Sequence, residues 1–333
     1  MGSGASLMTI SHWLGALLIV GGTGAGAEPT RLDVDSSPGR AIDSTTTTDE
    51  VALGKDKIDR MTVDVSVGGK GPYQFLVDTG AERTVISRQL AQLLNLESGR
   101  TATLHSVIGV NQVNTVFIPH LRVSNSMISV VDAPALEAAN IGADGMLGID
   151  SLRSQRVMFD FKAQTMSITP ASVPIAKMDG DTIVVRARTR SGRLIFTHAR
   201  IDGQKVTVII DTGSQVTIGN MALQRRLMRS NMWASPISTT IESVTGEKLP
   251  ARVAKVKALV LGDVRLDDLP IAFADAHIFR QLDLKNQPAL LLGMNAMRAF
   301  DRISIDFASR KVRFVLPGTS MRQPVRLAAA GSD

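Results

Sequence analysis

The chain has 333 residues, room for one large domain or two modest ones, with the 44% hydrophobic and 20% charged composition of a globular protein. It has no cysteine, so no disulfide staples the fold and no thiolate can act as nucleophile or metal ligand. Its 5 histidines include no pair at metal-ligand spacing, which argues against zinc; the net charge of +6 comes without the dense basic runs and interleaved aromatics of a nucleic-acid-binding protein.

The basic excess is uneven: residues 1–180 carry 14 Lys/Arg against 18 Asp/Glu, and residues 181–333 carry 23 against 13. A solvated basic face is the preferred reading, and attraction to an acidic surface the alternative. At the N-terminus, the apolar run Leu14–Val20 and the small-x-small segment Ala25-Gly26-Ala27 predict a signal peptide over residues 1–27. The protein is therefore expected to be exported, to a periplasm or the outside. A bilayer span takes about 20 apolar residues, so membrane contact is expected at most through this segment left uncleaved. Residues 28–50 are polar, with four consecutive threonines from Thr45, and read as a linker or pro-segment.

From residue 51 the sequence passes once through a pattern and then repeats it. Met61–Val67, a glycine turn and Tyr73–Val77 read as strand, turn, strand. They run into Asp78-Thr79-Gly80. A short β segment, Thr84-Val85-Ile86, precedes a helix capped by Ser87 with Leu90, Leu93 and Leu94 as its apolar stripe. Ser106–Val110 is a glycine-containing turn between β runs. Met146-Leu147-Gly148 then leads into a closing hairpin, Arg156–Phe161 with Met166–Ile168.

The second copy keeps this order. Leu194–Ile201, the hairpin signal Asp202-Gly203 and Val206–Ile210 run into Asp211-Thr212-Gly213. Val216-Thr217-Ile218, a helix after Asn220, the turn Ser243–Glu247, Leu291-Leu292-Gly293 and a closing hairpin from Arg302 to Phe314 come next. The sequence thus predicts β-rich units at residues 51–170 and 181–317, joined near Pro170–Pro174. A small-residue tail occupies residues 318–333.

One Asp-Thr-Gly is weak evidence, since such sequences often only make turns. Two, each at the end of an apolar strand and each followed by the same series, are stronger. An aspartate there is costly without a partner or a role. Two carboxyl groups close together cannot both ionise easily, so one pair can hold the acid and the base that metal-free peptide hydrolysis needs. The glycine after each Asp-Thr permits close approach of the loops. Each threonine hydroxyl can hydrogen-bond across to the opposite loop.

These residues resemble the retropepsin-like and pepsin-like aspartic peptidases, and Phe75–Ala81 is most similar to retropepsin-type bacterial members. The resemblance covers nearly all of residues 60–315. It implies an all-β fold of two lobes with short helices, related by a pseudo-two-fold axis. It also implies an aspartic endopeptidase acting on peptide or protein substrates, without metal or cofactor, as a monomeric internal pseudo-dimer. Asp78 and Asp211 would be the catalytic pair. Thr79, Gly80, Thr212, Gly213 and Ser214 would support it, and Gly109 and Gly246 would sit in flaps over the substrate. A peptidase-like envelope protein that binds peptides without cutting them is the alternative, and pairing of each copy with another chain a third arrangement.

The two triplets differ in the residue after the glycine. Ser214 stands where the first copy has Ala81, and a hydroxyl donating to its carboxylate is expected to make Asp211 the more readily ionised partner. The flap tyrosine of pepsin-type members has no counterpart, since Tyr73 is the sole tyrosine. Arg186, Arg188, Arg190 and Arg193 alternate along a strand-like stretch and read as an exposed face. Asp160 and Asp306, at matching places in the closing hairpins, read as structural.

Overall fold

The computed structural model describes residues 61–123, 126–175, 181–229 and 236–317, together with the short strand segments Ile19–Gly21, Glu50–Ala52 and Gly54–Lys55. The leader, the polar segment and the tail otherwise lie outside the described residues, as does Trp233. Of the leader only Ile19–Gly21 is described, as a strand antiparallel to Thr103–His105.

The protein is mostly β, with six short helices among the described residues. Among the described residues the strands form one sheet of nine, one of eight and one of six. The nine- and eight-stranded sheets each curl into a barrel-like lobe, and the six-stranded sheet joins them. Alternation builds the outer strands: in Met61–Val67, Val63, Val65 and Val67 are buried. The strands that lead to the aspartates end differently. Phe75-Leu76-Val77 and Val208-Ile209-Ile210 are buried throughout, because sheet neighbours and both faces are covered there.

The joining sheet comes from both closing hairpins. Gln155–Asp160 pairs antiparallel with Arg302–Asp306, with Met158 opposite Ser304 near the pseudo-two-fold axis. Asp160 and Asp306 face Arg302 and Arg156 across this seam. The Arg156 guanidinium also donates to the carbonyls of Val173 and Ala171, at 3.0 and 3.1 Å, tying down the inter-lobe connection.

The first-lobe helix Arg88–Leu93 is capped as the sequence predicts, Leu90 N–H donating to Ser87 Oγ at 3.0 Å. Its buried residues are Leu90 and Ala91, however, and Leu93 points outward at 70% exposure. At about 100° per residue, Leu93 falls about 110° from the centre of the face that Leu90 and Ala91 bury, while Leu94 returns to that face and packs against the core. In the second lobe Asn220 caps Met221–Arg229 through Leu223 N–H, at 2.8 Å.

Candidate active site

Asp78 follows the strand Lys70–Val77, and Asp211 follows Gln204–Ile210. Each strand pairs in parallel with the hydrophobic-hydrophobic-Gly segment of its own lobe: Val77 lies opposite Leu147, and Ile210 opposite Leu292. The next rung belongs to the aspartates themselves. Asp78 N–H donates to the Leu147 carbonyl at 3.0 Å and Asp211 N–H to that of Leu292 at 3.1 Å. Each carboxyl group is thus delivered where the ladder stops. Gly148 and Gly293 are needed at this point, because a Cβ there would run into the backbone of Arg83 and Val216.

The two loops interlock. Thr79 N–H donates to Thr212 Oγ1 at 3.0 Å, and Thr212 N–H to Thr79 Oγ1 at 3.1 Å. Thr79 Oγ1 donates to the Ile210 carbonyl at 3.1 Å, and Thr212 Oγ1 to that of Val77 at 2.8 Å. Each hydroxyl therefore accepts from and donates to the backbone of the opposite lobe's strand end. A Cβ on Gly213 would overlap the Asp78 carboxyl carbon, so this glycine sets how closely the loops approach.

The carboxyl groups meet in this grip, both fully buried. Asp78 Oδ1 accepts from Gly80 N–H at 2.7 Å and Ala81 N–H at 3.0 Å. Asp211 Oδ1 accepts from Gly213 N–H at 3.1 Å. Asp78 Oδ2 and Asp211 Oδ2 receive no donor from the described residues, and the two carboxyl groups influence each other's ionisation; a hydrogen bond between them requires a proton on one. Burial, and then the charge of Asp211, hold the Asp78 carboxyl well above the usual carboxylate range. Burial also pushes Asp211 up, to about 6, against the Asp78 hydrogen bond, the Gly213 N–H and the charge of Arg193. The pair titrates as one unit, with Asp211 on the more acidic side.

The cause of that asymmetry differs from the sequence expectation. Ser214 Oγ donates to the Val216 carbonyl at 2.7 Å, within its own turn, and only its backbone N–H serves Asp211. Arg193 is the second correction. Arg186 and Arg188 are exposed, but Arg193 is completely buried. It reaches from the second lobe to the Gly80 carbonyl at 2.9 Å and to Glu82 Oε1 at 3.0 Å. Alternation along Arg186–Arg193 could not reveal this, because the strand at Thr182–Arg186 belongs to the joining sheet and Arg193 to the lobe.

Gly109 and Gly246 lie in the tips of two long hairpins, Ser98–Val123 and Ile237–Leu261. The tips cross. Val107 is buried in the apolar cluster of the second lobe, with Ile195, Ile209, Ile218 and Ile278. Val244 is buried in that of the first, with Leu76, Ala81, Val85 and Met146. Burying each valine stabilises the crossed state by about 1.5 kcal/mol. His277 N–H donates to the Val107 carbonyl at 2.7 Å, His105 Nδ1 faces His277 Nε2 at 3.0 Å, and Ser106 Oγ donates to Glu247 Oε2 at 3.4 Å. His198, by contrast, is exposed. Among the described residues no group of three or more His, Asp or Glu is arranged to hold a metal.

Sequence reading also missed the residues behind the loops. Asp150 accepts from Thr84 N–H and Oγ1, and Asn295 accepts from Thr217 N–H and Oγ1. Their signal was available. Thr84 and Thr217 each stand six residues after an aspartate, and Asp150 and Asn295 two after Gly148 and Gly293.

Residues 63–154 match the family described as gag-polyprotein putative aspartyl protease, and residues 197–296 match the family described as aspartyl protease. No curated protein matches the chain.

Proposed function

Because the chain is a tandem of two aspartyl-protease domains, the two lobes of a retropepsin-like aspartic peptidase, we propose that it is an endopeptidase whose water nucleophile is activated between Asp78 and Asp211. The observation that carries this reading is the pair of fully buried carboxyl groups brought together by reciprocal threonines. The pair shares one proton. Asp211, the more acidic partner, takes a proton from water as the water oxygen bonds to the scissile carbonyl carbon. Asp78 gives its proton to the carbonyl oxygen. When the tetrahedral diol collapses and the C–N bond breaks, a proton passes to the leaving amine and the pair returns to its shared state.

The substrate is an extended peptide, admitted when the crossed hairpin tips part and held through backbone hydrogen bonds. A single chain suffices, since both aspartates belong to it. Export after cleavage before Glu28 completes the reading. A solution mass of one chain, and an N-terminus at Glu28 in protein recovered from the cell envelope or medium, test these two points.

The decisive experiment is peptide cleavage by the wild type, Asp78→Asn and Asp211→Asn. Each variant is expected to lose at least about a thousandfold in kcat, because it loses the acid or the base. A variant that keeps full activity removes its aspartate from the pair. Peptide binding by the wild type without any turnover identifies a peptide-gripping protein instead.

A further inference from the structure

A fully buried arginine beside two carboxyl groups that share a proton calls for a reason. Desolvating a guanidinium is expensive unless it is paired and hydrogen-bonded. Arg193 opens the strand Arg193–Ile201 of the second lobe, yet its polar contacts lie largely on the first. Nε donates to the Gly80 carbonyl at 2.9 Å, and Nη1 donates to Glu82 Oε1 at 3.0 Å and to the Ser191 carbonyl at 3.2 Å. Gly80 is the residue whose N–H holds Asp78 Oδ1. Arg193 therefore grips the Gly80–Ala81 peptide unit, whose own N–H, from Ala81, also donates to Asp78 Oδ1 at 3.0 Å. Its charge is felt by Asp78 and Asp211 as well as by Glu82.

We propose that Arg193 is a positioning residue for the reaction: it clamps the loop that carries Asp78, and it supplies the nearby positive charge that lets the buried carboxyl pair hold one negative charge. The proposal rests on the reading of Asp78 and Asp211 as the reacting pair. Glu82 tempers the effect. Its carboxylate neutralises part of the guanidinium charge, and at 26% side-chain exposure it is itself partly solvated.

Charge and clamp can be separated by sign. Removing the cation in Arg193→Gln makes the pair harder to ionise, so the acidic limb of the kcat/KM profile moves up by about one pH unit. The loosened loop lowers kcat about tenfold or more, with KM little changed. Arg193→Lys keeps the charge and loses the two-pronged grip, so it restores the limb but not kcat. Glu82→Gln leaves Arg193 unneutralised and moves the limb the opposite way, to lower pH. A purely structural contact has no reason to give opposite shifts for its two partners. The proposal is overturned if Arg193→Gln folds and its limb stays in place, or if Glu82→Gln leaves the limb unmoved or raises it. Should the Arg193 variants fail to fold, Glu82→Gln decides alone. Carbon-13 carboxyl titration of Asp78 and Asp211 in the same proteins reads the same shifts without turnover. If the wild type cleaves nothing, the peptidase reading fails while the titration still judges Arg193.

Discussion

Behind the aspartate of the first lobe the supporting loop is tied to Asp150; at the same place in the second lobe stands Asn295. Around both, the backbone is duplicated nearly bond for bond. Gly148 N–H donates to Thr84 Oγ1 at 3.1 Å, and Gly293 N–H to Thr217 Oγ1 at 3.2 Å. Backbone symmetry brings the carboxyl groups together and lets each threonine satisfy the other loop. Side chains break it: Asp150 against Asn295, Glu82 against Gln215, Ala81 against Ser214. The comparison teaches that meeting and ionising are separate tasks. The duplicated fold performs the first, and a few unmatched charges perform the second.

The symmetric part is expected to show the largest effect on stability. Thr79→Val or Thr212→Val keeps the shape but removes one acceptor and one donor from a buried site. Each leaves a backbone N–H and a carbonyl unpaired, which costs about 2–4 kcal/mol. The two substitutions should cost nearly the same, and the double variant less than their sum, since both act on one network. Urea unfolding of the three variants checks this; clearly unequal losses break the symmetry argument.

How far this was legible in the sequence obeys the same division. The repeat of strand, Asp-Thr-Gly, turn and hydrophobic-hydrophobic-Gly is local, and it singled out Asp78, Asp211, Thr79 and Thr212 at the two strand ends that meet, because a strand end and a tight loop are determined by neighbours in the chain. Arg193 was misread because its role depends on a loop 111 residues away, at Glu82. The crossing of Val107 and Val244 was equally hidden. A valine in a turn looks alike whether it packs on its own lobe or on the other.

Asp150 and Asn295 sharpen the comparison through pH. Burial raises the Asp150 carboxyl above its ordinary value despite the donors from Thr84 and Ser151. A raised carboxyl binds its proton more tightly in the folded protein than in the unfolded chain. Stability from this group is therefore fully present below the unfolded carboxylate value, about 3.9, and is lost as pH rises through the folded value. Asp150→Asn has no such loss, so its stability relative to the wild type should improve between pH 3 and pH 7. The mirror substitution, Asn295→Asp, should import the same pH dependence into the second lobe. It also forfeits the donation from Asn295 Nδ2 to the Pro270 carbonyl, at 3.1 Å, for a total cost of about 1–3 kcal/mol at pH 7. Denaturant midpoints at the two pH values decide; parallel curves for Asp150→Asn and the wild type would show that the carboxyl group is not ionised at cost.

Ser214 is expected to have the smallest effect, although it looked most like a catalytic difference. Had its hydroxyl donated to Asp211, Ser214→Ala would remove a bond to the charged form and raise the acidic limb of the pH–rate profile. The hydroxyl instead closes its own turn on the Val216 carbonyl, and Asp211 is served by the Ser214 backbone N–H, which alanine retains. Ser214→Ala should thus leave the limb within about 0.3 pH unit and lower stability by about 1 kcal/mol or less, the worth of one hydrogen bond whose acceptor can find water. The first lobe already runs this experiment, since Ala81 N–H holds Asp78 at 3.0 Å with no hydroxyl present. An upward shift in Ser214→Ala as large as that expected for Arg193→Gln would return the asymmetry of the pair to Ser214 and take it from Arg193.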